Sequence, residues 1–237
     1  PDLGFAIAAS AAFALGIHSF GPEEAVTYEI GFKLDLANNT LRLNGAYFST
    51  DYTDLQFTYR SGVAPYLANA GEASVDGFEI EATWLPSSNW TIEAGLGTLD
   101  TSVDSLRLIA GTGIGVEVGN KLPYAPELQF NIGIGYSGTL GNGWVLSPRI
   151  DYIHQDDVFW DANNTAEIAI NSSYSIVNAG LALGPADGPW QLRATVMNAT
   201  DELYSTGGNS SLTTGSGYAE IAYARPREYY LTLSWDF

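Results

Sequence analysis

Between residues 28 and 36 the chain alternates without a break. Tyr28, Ile30, Phe32, Leu34 and Leu36 fall on one side, while Glu29, Gly31, Lys33 and Asp35 fall on the other. A period of two marks an extended strand, because successive side chains point to opposite faces. The pattern recurs in Leu41/Leu43/Tyr47, Phe78/Ile80/Ala82/Trp84, Trp90/Ile92/Ala94/Leu96 and Leu128/Phe130/Ile132/Ile134/Tyr136. It returns in Trp144/Leu146/Pro148/Ile150/Tyr152, Val177/Ala179/Leu181/Leu183, Trp190/Leu192/Ala194/Val196 and Tyr229/Leu231/Leu233/Trp235/Phe237. These segments predict about nine strands, each with one apolar and one polar face. No helical stripe of comparable strength competes with them.

The connections fall into two classes. Residues 37–39, 86–89, 141–143 and 184–188 are rich in Asn, Gly, Asp, Ser and Pro, the composition of tight hairpin turns. Ser49 to Ser74, Asp100 to Glu127, Gln155 to Ser173 and Thr200 to Arg227 are long, and they read as polar loops. The two classes alternate strictly. In an up-and-down meander this places every short turn at one end and every long loop at the other.

The apolar faces need a solvent. The predicted strands run to about nine to thirteen residues, against a usual ~5–6, whereas a tilted strand crosses a hydrocarbon layer in about nine to eleven. Trp84, Trp90, Trp144, Trp190 and Trp235 all lie on the apolar register near a short turn or the chain end. A ring of amphipathic aromatics at one level is what a membrane interface selects. The expected fold is therefore all-β, a transmembrane antiparallel up-and-down β-barrel portion of about nine strands with short periplasmic turns and long extracellular loops. A passive porin-like channel is the alternative, and a soluble or fibrous β-protein such as an adhesin is the less favoured one.

Composition narrows the choice. Only 15% of the 237 residues are charged, below the ~25% of average soluble proteins. A formal net charge of −18 argues against nucleic acid as a partner. There is no cysteine, so neither a disulfide framework nor a thiolate metal site arises. Two histidines, His18 and His154, lie far apart with no metal-ligand spacing, and no nucleophile elbow or phosphate-binding glycine loop is present. Neither a metal, a cofactor nor an enzymatic activity is implied. The carboxylates Glu79 and Glu81 share a strand face and are expected to supply polarity to a lumen wall, paired across strands with Lys33 or Arg42. The chain opens on Pro1, with no signal peptide, and is expected to be a fragment or a processed product.

Five segments resemble, in order, those of TonB-dependent outer-membrane receptors. They are Pro22-Glu23 followed by Tyr28-Glu29-Ile30-Gly31-Phe32-Lys33, then Gly77-Phe78-Glu79-Ile80-Glu81, then Gly119 to Leu122 with Ala125-Pro126. Asn198-Ala199-Thr200-Asp201-Glu202-Leu203-Tyr204 and Pro226-Arg227-Glu228-Tyr229 through Phe237 complete the set. The resemblance implies a 22-stranded barrel around an N-terminal plug, with residues 1–237 as the C-terminal part and residues 1–23 as the tail of an outer loop. It implies a Gram-negative outer-membrane location. It also implies TonB-energised uptake of a scarce solute such as an iron–siderophore complex, cobalamin or an oligosaccharide, with TonB contacting the part of the receptor not contained here. The terminal pattern Tyr229, Leu231, Leu233, Trp235 and Phe237 resembles the signal read by the barrel-assembly machinery. Its residues also fit a plain role as lipid-facing side chains.

Solute binding would then fall to the long loops and the upper lumen. The candidates are Tyr52, Tyr59, Tyr66, Asp156, Asp157, Phe159, Trp160 and Asp161, of which residues 156–161 form the densest cluster. Trp160 is the one tryptophan outside the turn-side ring, which suits stacking on a ligand. A solvated acidic loop with Trp160 packed on a neighbouring loop is the favoured reading of the same residues.

Overall fold

The computed structural model describes residues 20–61, 64–107, 115–141, 143–212 and 217–236. The residues 1–19 and Phe237, assigned above to an outer loop and to the terminal signal, lie outside the described residues.

All nine expected strands form. They are β1 (Glu24–Leu36), β2 (Leu41–Ser61), β3 (Ala64–Ser87), β4 (Trp90–Leu106), β5 (Leu128–Tyr136), β7 (Trp144–Gln155), β8 (Tyr174–Pro185), β9 (Trp190–Met197) and β12 (Glu228–Trp235). They pair antiparallel in the order β1-β2-β3-β4-β5-β7-β8-β9-β12, a meander without crossovers. The two-residue β6 (Gly138–Thr139) carries the line of β5 past Ser137 and pairs with β7. A separate hairpin, β10 (Ser205–Ser210) with β11 (Ala219–Tyr223), stands between β9 and β12.

The register keeps the apolar residues of all nine strands on one face. Ile30 lies opposite Tyr47, Tyr47 opposite Phe78, and Ala82 opposite Ala94. Ile92 then meets Ile134, Ile134 meets Ile150, Ile150 meets Ala179, Ala179 meets Val196, and Val196 meets Tyr229. A slip of one residue anywhere would send a whole strand's apolar set to the other face. This face has no protein packed on it: Ile30 is 75% exposed and Leu231 74%. Exposed apolar surface on this scale needs a partner or a lipid phase.

Three of the long connections depart from expectation. Residues 49–74 are mostly strand rather than loop, since β2 and β3 continue to Ser61 and Ala64 as a hairpin overhanging the sheet. A bulge at residues 52–55, with Asp54 at φ 54°, separates the two parts of β2. The extra residue breaks the face alternation and bends the ribbon, so Phe57 turns into a buried position, 5% exposed. Similarly β4 runs on to Leu106, and Thr200 to Arg227 contains the β10–β11 hairpin.

The buried core sits in this overhanging layer. Phe57, Ala68, Ala70, Val103 and Val116 form one cluster, with Leu55, Leu106, Leu122 and Ala162 against it. Val158, Trp160 and Ile168 form a second, closed by Ile221 of the β10–β11 hairpin. Hydrogen bonds stitch the loops together. Residues 119–122 lie along β4, with Val103 N–H donating to the Asn120 carbonyl at 2.9 Å and Gly119 N–H to the Val103 carbonyl at 2.8 Å. The Asn164 side chain accepts from Lys121 N–H at 2.7 Å and donates to the Lys121 carbonyl at 2.8 Å, imitating a strand partner. Lys121 Nζ bridges Glu127 at 2.8 Å and Asp100 at 3.2 Å.

The segment 198–204 works as a clip. Asn198, 5% exposed and at φ 49°, accepts from Glu202 N–H at 2.9 Å and donates to the Glu202 carbonyl at 2.9 Å. Its own N–H donates to the Asn178 side chain on β8 at 2.8 Å. Asp201 accepts from Arg227 N–H at 2.9 Å, which delivers the chain into β12. A short amide tolerates the left-handed backbone and hydrogen-bonds locally, so Asn suits this position.

Two outcomes are expected. Replacing Asn198 with Ala orphans buried polar groups, each at about 1–3 kcal/mol, and should lower stability by roughly 2–3 kcal/mol in urea titrations of the barrel carrying this chain. The second concerns Lys121, whose pKa is raised chiefly by its hydrogen bond to Glu127; burial opposes this, and the hydrogen bond to Asp100 adds to it. A raised folded-state pKa gives stabilisation that is complete below the ordinary lysine value of ~10.4 and lost only as pH rises through the folded value. Hydrogen exchange of residues 115–127, corrected for its intrinsic pH dependence, should therefore keep the same protection from pH 7 to 9.

Candidate functional site

The polar face forms one wall. Arg149 on β7 reaches across β5 to Glu93 on β4 at 2.8 Å and pairs with Asp151 at 2.7 Å. Gly133 of β5 makes this possible, because a Cβ there would lie 2.5 Å from Arg149 Nη2 and 2.6 Å from Asp151 Oδ1. Arg42 pairs with Asp35 at 2.9 Å rather than with the expected Glu79 or Glu81. Neither of those glutamates, nor Lys33, is in an ion pair among the described residues. Together with Glu29 and Asn44 they border a shallow groove of about 380 Å³.

The sequence-derived candidates separate into two places. Tyr52 is half-buried on the polar face of β2, opposite Ala73. Tyr59 and Tyr66 are register partners near the tip of the β2–β3 hairpin. Residues 156–161 belong to a different connection, between β7 and β8. Within it the acids diverge. Asp156 receives the His154 ring at 3.1 Å, and Asp157 is exposed. Asp161 caps its own turn, accepting from Thr165 N–H at 2.9 Å and from its hydroxyl at 2.7 Å. Phe159 is half-buried, and its carbonyl accepts from Tyr124 N–H at 3.0 Å. Trp160 is 8% exposed and packs in the loop layer. Gly208 seats its ring, since a Cβ on Gly208 would approach Trp160 Cδ1 to 2.7 Å.

His154 also takes the Ser175 hydroxyl on Nδ1 at 2.8 Å, and Tyr152 donates to the same oxygen at 3.1 Å. These partners set the tautomer with hydrogen on Nε2. Serine, histidine and aspartate are the residue types of a hydrolytic triad. Here Ser175 and His154 are partners in an antiparallel ladder, not on a turn that would aim backbone N–H groups at an oxyanion. The relay ties the foot of the 156–173 loop to β8.

Sequence reasoning missed what surrounds Trp160. Tyr124 meets its ring at 5.4 Å between centroids, and Tyr174 stacks on Tyr204 at 4.2 Å. With Gln155, Val158, Ser205 and Thr206 these four aromatics line a cavity of about 240 Å³. Tyr174 and Gln155 are register partners on the polar face, so the cavity lies at the loop end of that wall. The one available signal was Tyr204, the last residue of the clip segment. Among the described residues no group of three or more His, Cys, Asp or Glu could hold a metal ion.

On the apolar face most of the turn-side tryptophans meet another aromatic residue. Trp144 and Trp190 meet edge to face at 5.2 Å, Trp235 is the register partner of Trp190, and Trp90 touches Tyr136 at 5.1 Å. Trp84, opposite Ile92 and near the 88–89 turn, is 45% exposed. No helix among the described residues is long and apolar enough to cross a membrane, which says nothing of a barrel, whose strands do the crossing.

This architecture is shared with known proteins. The chain is similar to the probable TonB-dependent siderophore receptor PiuA of Acinetobacter baumannii, 28% identical over 194 residues, 78% of this chain and 24% of that protein. It is similar to the pesticin receptor of Yersinia pestis, 25% identical over 192 residues, 80% of this chain and 26% of the receptor. The chain thus spans about a quarter of the curated relatives it matches. Among solved structures, the ferric yersiniabactin uptake receptor FyuA from Yersinia pestis superposes with a TM-score of 0.75 at 20% identity, over 91% of this chain and 30% of that one. The A. baumannii PiuA structure gives 0.72 at 25% identity, over 90% and 28%. The model of the TonB dependent receptor-like β-barrel matches residues 4–199, and the chain belongs to that family.

Proposed function

We propose that this chain is the C-terminal part of an outer-membrane receptor that takes up an iron–siderophore complex with energy from TonB. The observation that carries the proposal is a nine-strand meander with two opposed faces, one apolar and ringed by tryptophan at its turn end, the other polar and leading up to a loop layer. The family is one of Gram-negative outer-membrane transporters rather than enzymes, and the relative PiuA is named a probable TonB-dependent siderophore receptor. Membership favours a receptor over a passive porin or a soluble adhesin.

In this reading lipid bathes the apolar face and the polar face lines the lumen. Strands β1 and β12 are each paired on one side only among the described residues, and an unpaired edge is not tolerated in hydrocarbon. The relatives are about four times as long as their match to this chain, which leaves room for the remaining strands and for a plug that contacts TonB. The exposed row Tyr229, Leu231, Leu233 and Trp235 on β12 serves the barrel-assembly machinery, which reads such an edge by strand addition. The solute meets the loop layer first, at Tyr52, Tyr59 and Tyr66 and around residues 156–161. The acidic groove below is part of its path.

Two measurements test this. Cells carrying the receptor should take up radiolabelled ferric siderophores from a panel of catecholate, hydroxamate and phenolate types, and uptake should vanish without TonB. Equal uptake in cells lacking TonB would sink the proposal. Second, Ile132→Arg on β5 should destabilise the barrel by about 2–4 kcal/mol as a charge in mid-bilayer, while Asn131→Arg on the opposite face should be tolerated. Comparable yields of heat-modifiable barrel from both variants would contradict the assignment of faces.

A further inference from the structure

The cavity beside Trp160 contains two polar atoms that the fold leaves unanswered. Trp160 Nε1 and Ser205 Oγ are buried and without a hydrogen-bond partner among the described residues, and both residues line the cavity. Trp160 is 8% exposed and Ser205 1%. Native interiors rarely leave such groups unpaired, and exceptions call for a water, an ion or a ligand. A third group points the same way. Gln155 Oε1 already accepts from Gln129 at 2.9 Å and from the Tyr174 hydroxyl at 3.3 Å, which leaves its amide hydrogens to donate. An indole N–H and an amide NH2 can only donate, so whatever fills the cavity must present acceptor oxygens.

The lining also restricts charge and shape. Every residue around the cavity is uncharged. The adjoining loop carries Asp156, Asp157 and Asp161, so the wall offers no cation to an anionic group and the nearby loop adds negative charge. Four aromatic side chains form the wall, offering flat apolar surface beside the donors. At about 240 Å³ the space is smaller than the ~300–1,000 Å³ that encloses a drug-sized ligand, yet several times the ~30 Å³ share of one water. One ring fits.

The geometry points to a subsite for a neutral, hydroxylated ring, a single saccharide unit, at the loop end of the lumen wall. Its C–H face packs on the tyrosines, and its oxygens accept from Trp160, Gln155 and Ser205. The subsite rests on the reading of the loop layer as the solute-facing end. It does not require iron in the solute, so a glycosylated chelate and a plain glycan fit it equally.

The test uses the receptor carrying this chain, purified in detergent, with methyl glycosides of glucose, galactose, mannose and N-acetylglucosamine as probes in saturation-transfer NMR. At least one should bind saturably, and Trp160→Phe and Ser205→Ala should each weaken it about fivefold, the effect of one neutral hydrogen bond. Neither substitution removes a backbone hydrogen bond of the sheet, and unchanged heat-modifiable mobility would verify the fold. If no glycoside binds saturably, or both variants bind like the parent, the subsite is refuted. TonB-dependent uptake measured on the same variants separates the two proposals. Uptake without glycoside binding removes only the subsite, and glycoside binding without uptake removes only the transport function.

Discussion

Every backbone N–H and C=O in a sheet exposed on both faces has to be satisfied sideways, by the next strand. Here neither face of the nine-strand sheet carries a packed layer along its lower half, so the ladder of antiparallel pairs is what holds it. Lipid enforces this more strictly than water, because it offers no substitute partner for an unpaired group. The long strands, the meander order and the absence of crossovers all follow from it. So does the fixed register, since each strand must match both neighbours and keep its apolar residues on the same face.

A sheet organised this way has no interior, and the core gathers in the loop layer at one end. The β2–β3 overhang, the segment 115–122 and the 156–173 loop close over one apolar cluster, and the β10–β11 hairpin completes a second. The bulge at Asp54 marks the change of regime, below which β2 obeys the two-solvent alternation and above which it packs like a globular hairpin. Segments that resemble family motifs turn out to be fasteners of this layer. Asn198 and Asp201 clip the end of β9 to Arg227, and the Gly119–Leu122 stretch lies along β4. Their chemistry is holding the loop layer together.

Electrostatics on the polar wall depends on absent side chains as much as on present ones. Glu93, Arg149 and Asp151 sit on strands separated by β5, and they meet only because Gly133 leaves the intervening surface bare. A glycine inside a strand weakens it locally, and here it is exchanged for an ion-pair cluster that bridges three strands. Glu79 and Glu81 have no such bridge and give the groove its acidic character.

The strands were legible in the sequence because alternation is a local signal, written every two residues and repeated nine times. The turn-side tryptophans were legible for the same reason, since register and proximity to a short turn are both local. The overhanging halves of β2, β3 and β4 were not, because beyond the two-faced sheet their alternation gives way to polar and small residues that read as loop. Nor was the aromatic cavity. Tyr124, Trp160 and Tyr204 come from three different connections and Tyr174 from the start of β8, and nothing in the spacing of any one of them announces the others. Of the acidic cluster at 156–161, the sequence showed the density but not its fate, with Asp156 and Asp161 spent on His154 and Thr165 and Trp160 turned inward. Two-fold periodicity by itself determined the sheet and its faces. Only the packing of loops against one another, contacts between residues distant in the chain, decided where a solute could be held.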